Sequence, residues 1–173
     1  IRALTEGKEG FPATSGGMRE DRSSVRAAYV THVAGLVGQG IGPLRLVVNA
    51  GNGAAGPTLD ALTEGLAARG ARLDLVRMHH DPDGTFPNGI PNPLLPENRP
   101  ITAEAVKAAG ADFGVAFDGD FDRCFLFDGE GGFVDGEHVV ALLAAAHLAQ
   151  EPGAAIIHDP RVIWAVQDAV RKG

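Results

Sequence analysis

With one cysteine, Cys124, among 173 residues, the chain cannot form an internal disulfide. That usage fits a reducing compartment, and a cytoplasmic setting is expected. No apolar run approaches the ~20 residues that a membrane-spanning helix needs, so no membrane partner is expected. Basic charge is also short: the net charge of −7 argues against general binding to nucleic acid or anionic lipid, both of which need a basic face. What is present suits a globular chain, 45% apolar and 21% charged, long enough for about one domain with pieces of its neighbours. The start at Ile1 and the stop at Gly173, just after an apparent helix, lead us to expect a fragment of a longer protein.

Residues 1–22 carry Gly-Phe-Pro, Ser-Gly-Gly and a charged cluster without periodicity, which reads as a linker or extended arm. Ser23 or Ser24 is expected to cap a helix whose apolar stripe is Val25, Ala28, Tyr29, His32, Val33 and Leu36, with His32 in the core rather than a ligand. A strand over 44–48 then leads through Gly51-Asn52-Gly53-Ala54-Ala55-Gly56 into a helix opened by Pro57. These glycines match a dinucleotide-binding fingerprint, with Asp74 as the ribose partner. However, Asp74 falls inside the next strand, 72–78, and the preferred reading is a tight turn with close helix packing.

The irregular stretch 79–100 holds five prolines between Pro82 and Pro96, which favour a fixed shape. His79, His80, Asp81 and Asp83 within it are read as loop hydrogen-bonding groups rather than a metal site. Thr102 is expected to cap a helix to about residue 109. Strands over 113–117, 124–127 and 133–135 follow, the last two as a hairpin around Asp128-Gly129-Glu130-Gly131-Gly132. A helix over 137–149, a strand over 154–157 and a helix over 162–172 complete the chain. The expected fold is therefore α/β, a mixed, mostly parallel sheet flanked by helices with an antiparallel hairpin and the start of a second similar module. The expected division is 1–40 from a preceding domain, 41–152 as a metal-binding domain and 153–173 as the start of a following one.

Everything in that plan converges on Asp118-Gly119-Asp120-Phe121-Asp122-Arg123, which follows the apolar strand 113–117. Along an ideal strand, alternate residues lie roughly 6.5–7 Å apart, so three aspartates can share one small ion only if the loop curls. Gly119 permits that curl. Three neighbouring aspartates repel one another at neutral pH, and an all-oxygen set suits a hard cation such as Mg²⁺, which keeps water and phosphate oxygens in its shell. The competing readings are a solvated acidic turn paired with Arg123 and an aspartyl-phosphate loop with Asp118 as nucleophile. A calcium loop starting at Asp118 fails, because Arg123 and Gly129 stand where Gly and Glu are required. Cys124, beside the acidic loop, is expected to pack as a protonated thiol.

Taken together, Gly51-Asn52-Gly53-Ala54-Ala55-Gly56-Pro57, Asp83-Gly84-Thr85-Phe86-Pro87-Asn88, Pro96-Glu97-Asn98, the acidic loop and His158-Asp159-Pro160-Arg161 resemble the phosphohexomutase superfamily, with its bacterial phosphomannomutase branch as the best match. The resemblance implies a four-domain enzyme around a cleft, in which a phosphoserine of the first domain exchanges phosphate with a phosphosugar through a bisphosphate. It implies Mg²⁺ held by Asp118, Asp120 and Asp122, and phosphate or substrate facing Arg123 and Arg161. Arg161 stands where many members carry Lys. Phe121 stands where much of the superfamily has Gly, and an ordinary backbone is expected there because phenylalanine disfavours positive φ. The Phe form leans the substrate towards mannose phosphates. No Ser-His-Asn-Pro loop is present, and neither Ser15 nor Ser23 and Ser24 is a credible phosphoserine. The fragment alone is expected to be inactive and to depend on missing domains of the same polypeptide. A non-catalytic metal-binding module remains the other open reading.

Overall fold

The computed structural model describes residues 6–7, 16–37 and 41–172. Most of the arm expected over residues 1–22, Ser15 included, lies outside them. From residue 16 on, the described residues form five helices and five strands in order: α1 Val25–Leu36, β1 Leu44–Asn49, α2 Ala55–Ala67, β2 Leu73–Met78, a single 3-10 turn Pro96–Asn98, α3 Pro100–Ala109, β3 Phe113–Phe117, β4 Cys124–Asp128, β5 Phe133–Val134, α4 Gly136–Gln150 and α5 Trp164–Lys172.

The strands form one sheet in the order β2-β1-β3-β4-β5. β2, β1 and β3 run parallel, and β4 and β5 add the antiparallel hairpin. The mixed α/β sheet flanked by helices expected from the sequence is therefore present. Side-chain alternation along the strands divides the core between the two faces. Leu46 and Val48 of β1 and Phe117 of β3 are buried on the α2 side with Ala50 and Ala55, and the half-buried Leu59 packs against them. Val47, Ala116 and Phe127 are buried on the other side with Val106 of α3. Gly114 is required there, because a Cβ on it would lie 2.5 Å from a methyl of Val106.

β1 is followed by a helix leading to one neighbouring strand, β2, and the chain then crosses back to the other neighbour, β3. The reversal puts a topological switch point at the carboxyl ends of β1 and β3, the place where open α/β sheets bind ligands. The glycine loop and the acidic loop both start there.

Several expectations need correction. α3 starts at Pro100, whose fixed φ and missing N–H suit a first helical turn. Thr102 is therefore not its cap. It is buried, and its hydroxyl accepts a hydrogen bond from Asn49 Nδ2 at 2.9 Å. Ser24 precedes α1 without a side-chain capping bond; instead Asp21 accepts the Ser23 amide at 2.8 Å. The expected inner stripe of α1 is largely exposed, with Leu36 at 73% and Val25 at 59%, and His32 is exposed too. α1 turns Val30 and Ala34 to Gly65 of α2, where small side chains allow a close approach.

Residues 154–157, expected as a strand, are irregular. No described strand ladders with them, and Ile157 is 98% exposed. A strand needs a neighbour for its backbone groups, and the sheet ends at β5 without offering one. α4 and α5 pack on each other, with Ala144, Leu148 and Val166 buried. Among the described residues no helix is long and apolar enough to cross a membrane.

Candidate metal centre at the switch point

β3 delivers Asp118 to the carboxyl edge of the sheet, where its carboxylate is 1% exposed. The chain then curls, and the Phe121 amide donates to the Asp118 carbonyl at 3.2 Å. That turn gathers the alternating carboxylates: one oxygen from each of Asp118, Asp120 and Asp122 lies within 4.8 Å of the others. Two ligands of a Mg²⁺ ion are at most about 4.2 Å apart, given bonds of 2.0–2.1 Å, so the observed spacing is on the scale of a single small cation. Among the described residues no other group of His, Cys, Asp and Glu gathers in this way. The all-carboxylate donor set fits a divalent metal, which would neutralise the repulsion among the three.

The turn is bought with strain at Phe121, which adopts φ 66°. The ordinary backbone expected at that position is thus wrong. A left-handed non-glycine residue costs about 1–2 kcal/mol, and packing offsets it. The Phe121 ring meets Phe117 edge to face at a centroid distance of 4.9 Å and lies against the buried cluster on the α2 side.

Arg123 closes the turn from behind. Its amide donates to Asp118 Oδ1 at 3.0 Å, and its Nε donates to Oδ2 at 2.6 Å. The same Nε lies 3.3 Å from Asp122 Oδ1. Burial disfavours ionisation of Asp118, but the backbone and side-chain bonds from Arg123 outweigh it and hold the carboxyl below its ordinary range. Asp122 is pushed up, chiefly by its hydrogen bond with Asp118 and also by the charge of Asp120. Such a split is what like charges in one turn produce. Cys124, expected to pack, is exposed at the start of β4; local desolvation raises its thiol and keeps it protonated.

The glycine loop forms the opposite wall, and its spacing serves contact rather than a nucleotide. Gly53 sits where a Cβ would come within 2.5 Å of the Gly119 carbonyl, and a Cβ on Gly56 would strike the carbonyl of His80. Asp74, the ribose candidate, pairs instead with Arg45 at 3.4 Å near the opposite end of the sheet, too far along β2 to serve the loop after β1.

Sequence reasoning overlooked Asn52 and Asn88. Asn52, at φ 56°, donates its amide to the His79 carbonyl at 2.7 Å and accepts the Asp83 amide at 2.8 Å. Its side chain donates to the Asp81 carbonyl at 3.0 Å and accepts from Asn88 Nδ2 at 2.9 Å. One residue thereby pins the long loop to the glycine loop. The available signal was Asn before Gly, since Asn tolerates the left-handed region better than most residues. His79 and Asp81 enter this network through their carbonyls, while Asp83 also holds Thr85 and His80 binds Asp60, in line with the loop-bonding role expected of this stretch. A cleft of about 180 Å³ opens between the loops, lined by Asn49, Gly51, Asn88, Pro91, Thr102 and Phe117 among others.

Arg161 is not gathered with this cluster by any contact it makes. Its Nε and Nη2 hold the two carboxylate oxygens of Asp159 at 2.9 and 2.7 Å, within the turn before α5.

The fold and site define an α/β domain that presents a carboxylate loop, suited to a divalent metal, at a ligand-binding switch point. Residues 27–132 match the family model described as phosphoglucomutase/phosphomannomutase, alpha/beta/alpha domain II, and the chain belongs to that family. It is 56% identical over 148 residues to a phosphomannomutase of Salmonella typhimurium, covering 85% of this chain and 32% of that protein. It is 49% identical over 173 residues to a phosphomannomutase of Vibrio cholerae, covering 99% of this chain and 37% of that one. The crystal structure of a phosphoglucomutase/phosphomannomutase family protein from Burkholderia thailandensis superposes with a TM-score of 0.77 at 36% identity, over 86% of this chain and 31% of the other. The chain spans about a third of the length of these curated relatives.

Proposed function

We propose that this chain is the metal-holding part of a phosphomannomutase that interconverts mannose 6-phosphate and mannose 1-phosphate, with glucose phosphates as further candidates. The carrying observation is the curl that brings Asp118, Asp120 and Asp122 within 4.8 Å at the switch point of a chain from this family. In this reading residues 41–152 form the metal-binding domain, 1–40 come from the end of the preceding one, and 153–173 open the next. The missing domains supply the phosphoserine and the rest of the sugar site, and the cytoplasm is the setting.

Phosphoryl transfer is catalysed by positioning and by neutralising charge on the transferring oxygens. A Mg²⁺ held by the three aspartates supplies that neutralisation when bound. Asp118 is buried and fixed, so it sets the position of the loop, while Asp120 and Asp122 reach solvent and complete the donor set. Arg123 supplies positive charge beside the carboxylates, and Arg161 is assigned to the phosphosugar. An aspartyl-phosphate role for Asp118 finds no support, since both of its oxygens accept hydrogen bonds from Arg123.

The test is a coupled assay on the complete polypeptide with mannose 1-phosphate and glucose 1-phosphate, a bisphosphate primer and Mg²⁺, beside Asp120→Asn. Metal-dependent turnover lost in the variant is expected. No turnover with either sugar would remove the proposal.

A further inference from the structure

The chain holds two Asn-Gly pairs, Asn52-Gly53 and Asn88-Gly89, and the fold bonds one to the other. Asn88 Nδ2 donates to Asn52 Oδ1 at 2.9 Å. The orientation of both amides is fixed from the far end: Asn52 Nδ2 donates to the Asp81 carbonyl at 3.0 Å, and a carbonyl can only accept. Asn52 must therefore present its oxygen to Asn88, and Asn88 must answer with a donor.

An asparagine followed by glycine carries a latent reaction. The glycine amide nitrogen can attack the side-chain carbonyl carbon, because the glycine has no side chain to obstruct the approach. The two pairs differ in protection. Asn52 is half-buried, and both ends of its side chain are bonded. A Cβ on Gly53 would lie 2.5 Å from the Gly119 carbonyl, so the backbone there has no room to swing. Asn88 is exposed, and its side chain makes one hydrogen bond among the described residues. A Cβ on Gly89 would meet nothing within 4 Å. The Gly89 amide donates to the Phe86 carbonyl at 2.9 Å, a single turn bond in an exposed loop, of the kind that local opening breaks and remakes.

We propose that Asn88 is a self-modifying site whose conversion to aspartate or isoaspartate detaches the long loop from the glycine loop. The Gly89 nitrogen forms a bond to Asn88 Cγ and gives up its proton, the Cγ–Nδ2 bond breaks, and Nδ2 leaves as ammonia. Water, the only co-reactant, then opens the succinimide at either carbonyl. Neither product can donate to Asn52 Oδ1, since an ionised carboxylate only accepts, and Asn52 cannot turn round without giving up Asp81. Two acceptors then face each other where a hydrogen bond stood. Isoaspartate also adds one carbon to the main chain beside the turn that holds Phe86. Order follows from the same contact: loss of the Asn88 amide removes one of the two side-chain bonds that protect Asn52, so Asn88 reacts first and Asn52 after it. None of this depends on a metal at the acidic loop.

The experiment ages the folded complete polypeptide in warm, mildly alkaline buffer, which favours the deprotonated nucleophile. Tryptic cleavage after Arg69 and Arg77 puts the two asparagines on separate peptides, and fragmentation that tells isoaspartate from aspartate locates each conversion. Asn88 is expected to convert ahead of Asn52 by about 2–10-fold, the rate equivalent of one further hydrogen bond. Asn88→Asp, made directly, is expected to speed conversion of Asn52 by a similar factor and to raise hydrogen exchange across residues 79–90. Asn88 staying intact in the folded protein while the urea-unfolded protein converts overturns the site, as does conversion of Asn52 first. Unchanged exchange across residues 79–90 in Asn88→Asp overturns the release of the loop.

Discussion

The amide of Ala54 donates to the carbonyl of Gly119 at 3.0 Å, so the glycine loop after β1 and the acidic loop after β3 are joined backbone to backbone. The join leaves no room for a side chain at Gly53, whose Cβ would lie 2.5 Å from that carbonyl.

Gly53→Ala is therefore expected to push the acidic loop off its position. Overpacking of a well-filled contact costs typically about 1–3 kcal/mol, measurable by urea unfolding, and calorimetry should show weaker Mg²⁺ binding. Gly35→Ala is the control. It meets nothing within 4 Å and lies in α1, where alanine should stabilise by up to about 0.5–1 kcal/mol without changing metal affinity.

The aspartates of the loop should separate by burial. Asp118 is 1% exposed and accepts two bonds from Arg123, so Asp118→Asn should lower both stability and metal affinity, the stability loss being about 1–3 kcal/mol. Asp120 is exposed. Asp120→Asn should abolish metal binding and leave the unfolding midpoint nearly unchanged, or raise it slightly as repulsion is relieved. Equal stability losses in the two variants would contradict this division.

How far the sequence revealed the molecule depended on whether the signal was local. The strands carrying Leu46, Val48 and Phe117 were legible because a short apolar run is a property of the segment itself, and the acidic loop because carboxylate repulsion is. The buried face of α1 was not legible, since the docking surface is set by Gly65 of a different helix. Residues 154–157 have strand composition but no neighbouring strand among the described residues, and composition cannot supply one. Asn52 was missed because its role lies in bonds to residues 79, 81, 83 and 88, which only the folded loop brings near.

Phe121 gives an order of stabilities opposite to that of an ordinary residue. At φ 66° alanine keeps the strain and loses the ring, whereas glycine loses the ring and relieves the strain. Phe121→Gly should be more stable than Phe121→Ala by about 1 kcal/mol, and both should be less stable than the wild type because the contact with Phe117 is lost. Urea unfolding of the three proteins checks the order; alanine above glycine would show that the positive φ is not held in solution.

The acid sensitivity of the fold should include Asp60 on α2. Its Oδ2 lies 2.8 Å from His80 Nε2 and its Oδ1 accepts from Arg77 Nε at 3.0 Å, which ties α2 to the end of β2 and the loop beyond it. His80 Nδ1 is buried without a partner among the described residues, so the ring proton belongs on Nε2, where it is donated to Asp60. The His80 hydrogen bond first, with help from Arg77, lowers the Asp60 carboxyl below 3.8 in the fold. A depressed folded value contributes stability that is present above the unfolded pKa and lost as pH falls through the folded one. The wild type should thus exceed Asp60→Asn by a constant margin above about pH 5, and the two curves should converge as the pH falls through the lowered folded-state value. Asp60 is 42% exposed, so solvent screening keeps the margin within the surface range of about 0–1 kcal/mol. Denaturant midpoints measured from pH 2.5 to 7 read this directly: a margin that grew on acidification would mean that Asp60 is stabilised in its protonated form, contrary to the geometry.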